Sequence, residues 1–310
     1  SGALAKSTMA DYRQRLNDRI IPVLGQVKLA QITNHTVKEF LNELRQDDCR
    51  LDGKDGSLAE SSITKYRATI SSILSYAVEE GYLSINPLIY AGKQRGHGKV
   101  KREYKTKQLT IDQAKRFLWI LDHPVTVRRK EHMVKRNGKL VKIKEYEQPW
   151  SLDLKWQLFF YIALFTGARR GEIVSLLWSD IDFSQNTIHF SKSTAIVKGE
   201  VIHKETKTYA TRRCIVPDLV INTAKKLLRE QKEICLQLGD YWKGTRGKQF
   251  QDNFVFIRDD GTQMHVDSPR TEFKRVIRIY NNNIEKDESE MIPDNLTLHD
   301  LRHTTASILI

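Results

Sequence analysis

Cysteine is scarce in this 310-residue chain: Cys49, Cys214 and Cys235 stand far apart. Three scattered thiols supply neither a disulfide framework nor a zinc site. A stapled secreted scaffold is therefore excluded, and a cytosolic protein is expected. Long apolar runs are also missing. The most apolar stretch, Trp156 to Phe165, has ten residues, far short of the roughly 18 that suggest a membrane span. No secretory signal opens the chain; Ser1-Gly2 resembles an expression scar and leads into a polar, helix-like pattern. No internal repeat is visible. No cluster of carboxylates has metal-ligand spacing, which argues against a magnesium-dependent nuclease; no metal and no cofactor is expected.

What the chain has is positive charge. It carries 51 Lys and Arg against 38 Asp and Glu, a net charge of +13. From Gly92 to Trp150 there are 17 basic and 6 acidic residues, while the remainder holds 34 and 32. Charge gathered in this way is the footprint of a polyanion binder, although a solvated linker has the same composition. The hydrophobic content of 40% supports a sizeable core, and the length suggests two domains.

The first ninety residues have helical periodicity. Tyr12, Leu16, Ile20 and Leu24 are spaced i, i+4 before Gly25. Val37, Phe40, Leu41 and Leu44 follow Thr33, an expected N-cap. Ile63, Tyr66, Ile70, Ile73, Leu74 and Ala77 form a third stripe closed by Gly81, and Asn86-Pro87 breaks the pattern. Lys65 and Arg67 point away from that stripe, toward either solvent or a nucleic acid. Gly92 to Lys107 mixes three glycines with a run of basic side chains, including Lys93, Arg95, Lys99, Lys101 and Arg102, and reads as a linker.

Thr110 and Gln113 have capping-box spacing and open a second domain. The segment "EHMVKRNGKLVKIKEYE" predicts a β-hairpin turning at Asn137-Gly138. Its Lys135, Arg136 and Lys139 can flank a DNA groove or face solvent. Trp156 to Phe165 is apolar all round and predicts a buried helix. Glu172 to Trp178 reads as a short helix. Thr187–Phe190, Val201–His203 and Arg213–Val216 read as strands of one small sheet. Ala224–Leu238, a helix opened by Ser268 and Pro269, and a last helix from Leu298 complete the pattern.

Three basic clusters occur in order. "TGARRGE" (166–172) follows the buried helix, and its glycines allow Arg169 to emerge from a sharp turn. "TKT" (206–208) precedes Arg212-Arg213 and reads as a hairpin with Lys207 in its turn region. His299 and Arg302, spaced i, i+3, share the face of a helix start. Two guanidiniums, an ammonium and an imidazole converging on one point would make a phosphate site. They would also stabilise the extra negative charge of a pentacoordinate phosphorus. Each cluster alone has a plainer reading: a helix-terminus ion pair for Arg169 and Glu172, an ordinary hairpin lysine for Lys207, a chance HxxR.

Together the three clusters resemble the tyrosine recombinases found as phage and conjugative-transposon integrases. "TGARRGE" resembles the family's first arginine box, "TKTYATRRCIVP" the hairpin with the catalytic lysine, and "LTLHDLRHTTAS" the HxxR box. The resemblance implies catalytic roles for Arg169, Lys207, His299 and Arg302, with Glu172 orienting Arg169. It implies a helical, SAM-like core-binding domain at 3–90, a basic linker at 91–108, and a catalytic domain at 109–310 with a hairpin insertion near 130–147. The expected fold class is mainly α with a small antiparallel β-sheet in the catalytic domain (α+β), as a two-domain C-shaped clamp on DNA.

The family's nucleophilic tyrosine follows HxxR, whereas all eleven tyrosines here precede His299. The chain is therefore expected to be a piece that binds DNA without cleaving it. The resemblance further implies double-stranded recombination sites as partner, a homo-tetramer in the synaptic complex, accessory DNA-bending proteins, and a cytoplasmic, nucleoid-associated bacterial setting. The alternatives are a non-catalytic decoy or architectural DNA-binding subunit, a type IB topoisomerase-like enzyme and, more distantly, an RNA-binding protein, against which no RNP-like aromatic strand is present.

Overall fold

The computed structural model describes residues 6–90, 107–136, 138–197, 199–205, 211–283 and 291–308. The chain divides into two compact units, residues 1–103 and 104–310, each with its own apolar core. Lys93, Arg95, Lys99, Lys101 and Arg102 of the expected linker, and Lys207, lie outside the described residues.

The first unit is helical. Helix α1 (Lys6–Arg15) runs through a π turn (Leu16–Ile20) into α2 (Ile21–Leu24). Ile20 and Leu24 are buried, and Leu16 packs against them. Helix α3 (Asn34–Glu43) starts where the Thr36 amide donates to the Thr33 hydroxyl at 3.2 Å. Helix α4 (Glu60–Glu79) buries Ile63, Ile70, Leu74 and Ala77. Ile73, expected in that stripe, is 39% exposed; at about 100° per residue it falls at the stripe's edge.

Asn86-Pro87 does more than break a helix. Pro87 is the first residue of α5 (Pro87–Tyr90), where its fixed φ and missing N–H cost nothing. The buried Asn86 amide donates to the Ser71 carbonyl (2.9 Å) and the Ser75 hydroxyl (2.8 Å), and its oxygen accepts from the Leu88 amide (2.9 Å). One side chain thus starts α5 and fastens it to α4.

The second unit begins with α6 (Ile111–Asp122), where Thr110 and Gln113 form the expected reciprocal capping box. Strands β1 (Val125–Arg129), β2 (His132–Arg136), β3 (Lys139–Ile143) and β4 (Tyr146–Trp150) follow. β2 pairs with β3 across Gly138, which has φ +79. β1 pairs with β4, so the expected hairpin is the outer half of a longer ribbon. Its root is held by buried Val127 and Trp150.

Helix α7 (Leu154–Thr166) is the centre of this unit. Every residue from Leu158 to Leu164 is buried, as an apolar surface on all sides requires. Phe159 and Phe160 meet Phe256 and Phe117 edge-on, at 5.3 and 5.9 Å between centroids. Helix α8 (Arg170–Val174) follows. It is shorter than expected, because Trp178 starts a separate 3-10 turn.

The strands form two sheets rather than one. β5 (Ile181–Asp182), β6 (Thr187–Phe190) and β9 (Arg212–Ile215) make an antiparallel sheet in the order β5-β6-β9. β7 (Lys192–Val197) and β8 (Glu200–Glu205) pair separately. Among the described residues, the strands on either side of Lys207, β8 and β9, pair with β7 and β6 and not with each other; the expected turn region around Lys207 lies outside the described residues. Helices α9 (Asp218–Leu238), α10 (Ser268–Asn283) and α11 (Asp300–Ile308) complete the unit. Among the described residues, no helix is long and apolar enough to cross a membrane.

Replacing Asn86 by Ala leaves the Leu88 amide without its acceptor. A loss of about 1–3 kcal/mol is expected for the first unit in urea denaturation; an unchanged midpoint would contradict the bridging role.

Candidate active site

The end of α7 sets up the site. Gly167 takes the left-handed conformation (φ +58) and its amide donates to the Ala163 carbonyl at 3.1 Å, which ends the helix sharply. The Thr166 hydroxyl donates to the Ile162 carbonyl (2.7 Å) and accepts from the Ala168 amide (3.1 Å). The turn leaves Arg169 at the N-cap of α8, with its side chain 46% exposed.

Glu172, 3% exposed, lies beneath it. Its Oε2 accepts from the Arg169 backbone N–H (2.9 Å), and its Oε1 accepts from Arg169 Nη1 (2.8 Å). Oε2 also accepts from Arg212 Nη2 at 2.9 Å, 40 residues along the chain. A buried carboxylate is stable only when paired and hydrogen-bonded, and here three charge-assisted bonds satisfy it. Gly171 lets β7 approach α8 closely: a Cβ there would collide with the Thr194 carbonyl oxygen.

Arg302 reaches the same place from α11. Its Nη1 donates to the Gly167 carbonyl at 2.7 Å. The Thr305 hydroxyl contacts the Leu164 carbonyl at 2.6 Å, and the Thr304 hydroxyl accepts from the Leu109 amide at 3.0 Å. These contacts lock α11 onto the end of α7 and the approach to α6. Burial pushes Arg302 below its ordinary pKa, as do the guanidiniums of Arg169 and Arg212, while Glu172 opposes them. An arginine stays protonated in proteins, so the shift registers burial first and the neighbouring guanidiniums second. His299 precedes α11, exposed, with its ring edge-on to His303 at 5.5 Å.

Arg169, His299 and Arg302 line one cleft of about 680 Å³. Its other walls come from Ser193–Ile196 of β7 and from α10, which presents Arg270 and Lys274. Arg170, at the rim, is held by Asp267 at 2.7 Å. Sequence reasoning placed neither Arg212 nor Arg270 and Lys274 in the site. The pair 270 and 274 had a signal, because i, i+4 basic residues opposite the apolar face of an amphipathic helix share one side. Arg212 stood inside the quoted "TKTYATRRCIVP" box, but nothing local marked it as a partner of Glu172, since that contact is non-local. Among the described residues, no group of three His, Cys, Asp or Glu side chains could hold a metal ion.

Lys65 and Arg67 are exposed on α4, and Lys135, Arg136 and Lys139 are exposed at the tip of the ribbon. Arg136 and Lys139 face each other across the turn.

The model of the phage integrase family matches residues 136–310, more than half of the chain, and that of the phage integrase N-terminal SAM-like domain matches residues 2–45. The chain belongs to the phage integrase family. Among its relatives in that family, the ICEBs1 integrase of Bacillus subtilis (strain 168) is 22% identical over 296 residues, 95% of this chain and 64% of that protein. A XerC-like tyrosine recombinase of Caldanaerobacter subterraneus subsp. tengcongensis is 23% identical over 264 residues, 81% of this chain and 56% of that protein. The chain thus spans less than two thirds of the length of either. The fold is similar to that of the Tn1549 transposon integrase in complex with transposon right end DNA, with a TM-score of 0.67 and 18% identity over all of this chain and 82% of that one. It is also similar to a lambda integrase in a tetramer bound to a Holliday junction, with a TM-score of 0.57 and 16% identity over all of this chain and 66% of that one. In keeping with this integrase fold, the chain is mostly helical with small antiparallel sheets.

Gly171→Ala should cost about 1–3 kcal/mol by overpacking α8 against β7. Thermal denaturation of the variant measures this, and a wild-type midpoint would show that the two elements can separate freely.

Proposed function

We propose that the chain is the DNA-binding and phosphate-holding part of a tyrosine-type site-specific DNA recombinase, acting in integration or excision of a mobile element. The observation that carries this reading is the bond from Arg302 to the Gly167 carbonyl, which joins the HxxR box to the first arginine box across 135 residues. It places two guanidiniums and His299 on one cleft, as a scissile phosphodiester requires.

In this reading a tyrosine attacks the scissile phosphorus in line. The P–O bond to the 5′ oxygen breaks, leaving a 3′-phosphotyrosyl link and a 5′ hydroxyl. Arg169 and Arg302 hold the non-bridging oxygens, where their charge counts most as the phosphorus becomes pentacoordinate. Lys207 gives its proton to the departing 5′ oxygen, and His299 helps move the proton from the nucleophile and holds the phosphate. Glu172 orients Arg169 and does not react. The covalent link conserves the phosphodiester for rejoining.

The basic excess between Gly92 and Trp150 is the grip on the duplex backbone, including Lys93, Arg95, Lys99, Lys101, Arg102, Lys135, Arg136 and Lys139, with Lys65 and Arg67 contributing from the core-binding domain. Support for a duplex partner and a four-subunit assembly comes from relatives of the same fold, one described with transposon end DNA and one as a tetramer on a Holliday junction. Accessory DNA-bending proteins would assist, in the bacterial cytoplasm at the nucleoid.

None of the eleven tyrosines follows His299, so these 310 residues should bind duplex DNA without bonding to it. Binding should weaken steeply with salt, and replacing Lys135, Arg136 and Lys139 by Ala should flatten the logarithmic slope by roughly 2 to 3. Fluorescence anisotropy across a salt series measures the slope; an unchanged slope removes the ribbon from the interface, and a denaturant-resistant adduct on a nicked duplex contradicts the non-covalent reading. In a form that carries the nucleophilic tyrosine, Arg169→Ala or Lys207→Ala should abolish covalent-complex formation while specific binding persists. Normal adduct yields from either variant would sink the assignment.

A further inference from the structure

Arg212 touches the site without lining the cleft. Its Nη2 donates to Glu172 Oε2, the oxygen that also caps the Arg169 backbone N–H. Its guanidinium carbon lies over the Phe190 ring, 5.0 Å from the centroid, a cation–π contact. Its Nε is buried and has no acceptor among the described residues. An arginine optimised only for its own hydrogen bonds would not leave that donor empty. The position is set by Glu172 and Phe190 instead.

Arg212 is also the first residue of β9, five residues beyond Lys207. The strand on the other side of Lys207 is tied to the same helix. On β8, His203 Nδ1 lies 3.1 Å from the Thr194 hydroxyl, which is 2.7 Å from the Ser175 hydroxyl. Ser175 in turn donates to the Gly171 carbonyl at 2.6 Å. Both flanks of the 206–210 segment therefore end on α8 or its C-cap, and the arginine flank ends on the carboxylate that orients Arg169.

We propose that Arg212 is a positioning residue that, through Glu172, holds Arg169 in its phosphate-binding pose and fixes the start of β9. This rests on the reading of the cleft as a phosphate site. Glu172 has one oxygen for the Arg169 guanidinium and one shared between the Arg169 backbone and Arg212. Without Arg212 the carboxylate can rotate, and the Arg169 guanidinium loses its reference. The role is one of geometry, distinct from a third arginine on the substrate.

The test is a double-mutant cycle on the 310-residue chain, with inorganic phosphate as probe and arginine Nε–H chemical shifts as readout. Arg169→Ala, Arg212→Met, Arg212→Lys, Glu172→Gln and the pair Arg212→Met with Glu172→Gln are compared, each below its own melting temperature. Arg212→Met should weaken phosphate binding about tenfold, the loss expected of one charge-assisted hydrogen bond. Arg212→Lys, which keeps an ammonium for Glu172, should restore most of it. In the Glu172→Gln background Arg212→Met should add nothing, because coupled residues are non-additive. Amide exchange across 211–215, the start of β9, should accelerate in Arg212→Met and remain unchanged in Arg169→Ala.

Phosphate binding that does not depend on Arg169 would overturn the phosphate-site reading itself. If binding needs Arg169, three results overturn the role of Arg212 alone: full affinity in Arg212→Met, an equal loss in the Glu172→Gln background, or unchanged exchange. The second would reveal a through-space charge effect, and a change in melting temperature alone would reveal a merely structural one.

Discussion

Glu172 is an anion buried beneath cations, and the second unit is arranged around keeping it there. Two guanidiniums and one backbone N–H saturate its oxygens, and a third guanidinium, that of Arg302, lies close enough to register its charge. Remove the carboxylate and three like charges face one another at low effective dielectric, where repulsion is several-fold stronger than in water. Leave it in place and the cluster keeps a net excess of positive charge. On the reading proposed above, a singly charged phosphodiester would reduce that excess of two positive charges to one. The same carboxylate thus offsets part of the guanidiniums' mutual repulsion and leaves the cluster short of neutral.

Such a site needs a floor that does not give. Helix α7 supplies one by being buried on all sides, so its C-terminus is fixed by close packing rather than by a loop. Gly167 converts that fixed end into a sharp turn, and α11 docks onto it through Arg302 and Thr305. The guanidiniums of Arg169 and Arg302 therefore share a reference frame although they are distant in sequence. If the cleft receives a phosphodiester as proposed, charge preorganised in this way would need no rearrangement at the moment of reaction.

How much of this was readable depended on whether the cause was local. Thr110 with Gln113, Thr33 before α3, and Gly138 in the ribbon turn were legible because capping and turn chemistry act within a few residues. The all-round apolarity of α7 was legible for the same reason. Strand partners were not: periodicity identifies a face and is silent on what pairs with it, so β8 and β9 looked like one hairpin and belong to two sheets. β1 and β4 were missed because their exposed, charged residues give little alternation. At the site, Arg169, His299 and Arg302 could be singled out by motif, whereas Arg212 could not, because its significance lies in a contact made 40 residues away.

The two uses of positive charge differ physically. On the ribbon, Lys135, Arg136 and Lys139 are exposed, so their attraction for a polyanion acts through water and ions, within about 10 Å at ordinary salt. In the cleft, Arg302 is partly buried and hydrogen-bonded to a backbone carbonyl, and Arg169 is oriented by a carboxylate that solvent barely reaches. Salt should loosen the first and scarcely touch the second. On the proposed reading, a duplex would be released or rebound as salt changes, while the side chains of the cleft keep their geometry. In sequence, the most basic stretch, 92–150, contains none of the three arginines around Glu172, so the two kinds of positive charge are encoded separately.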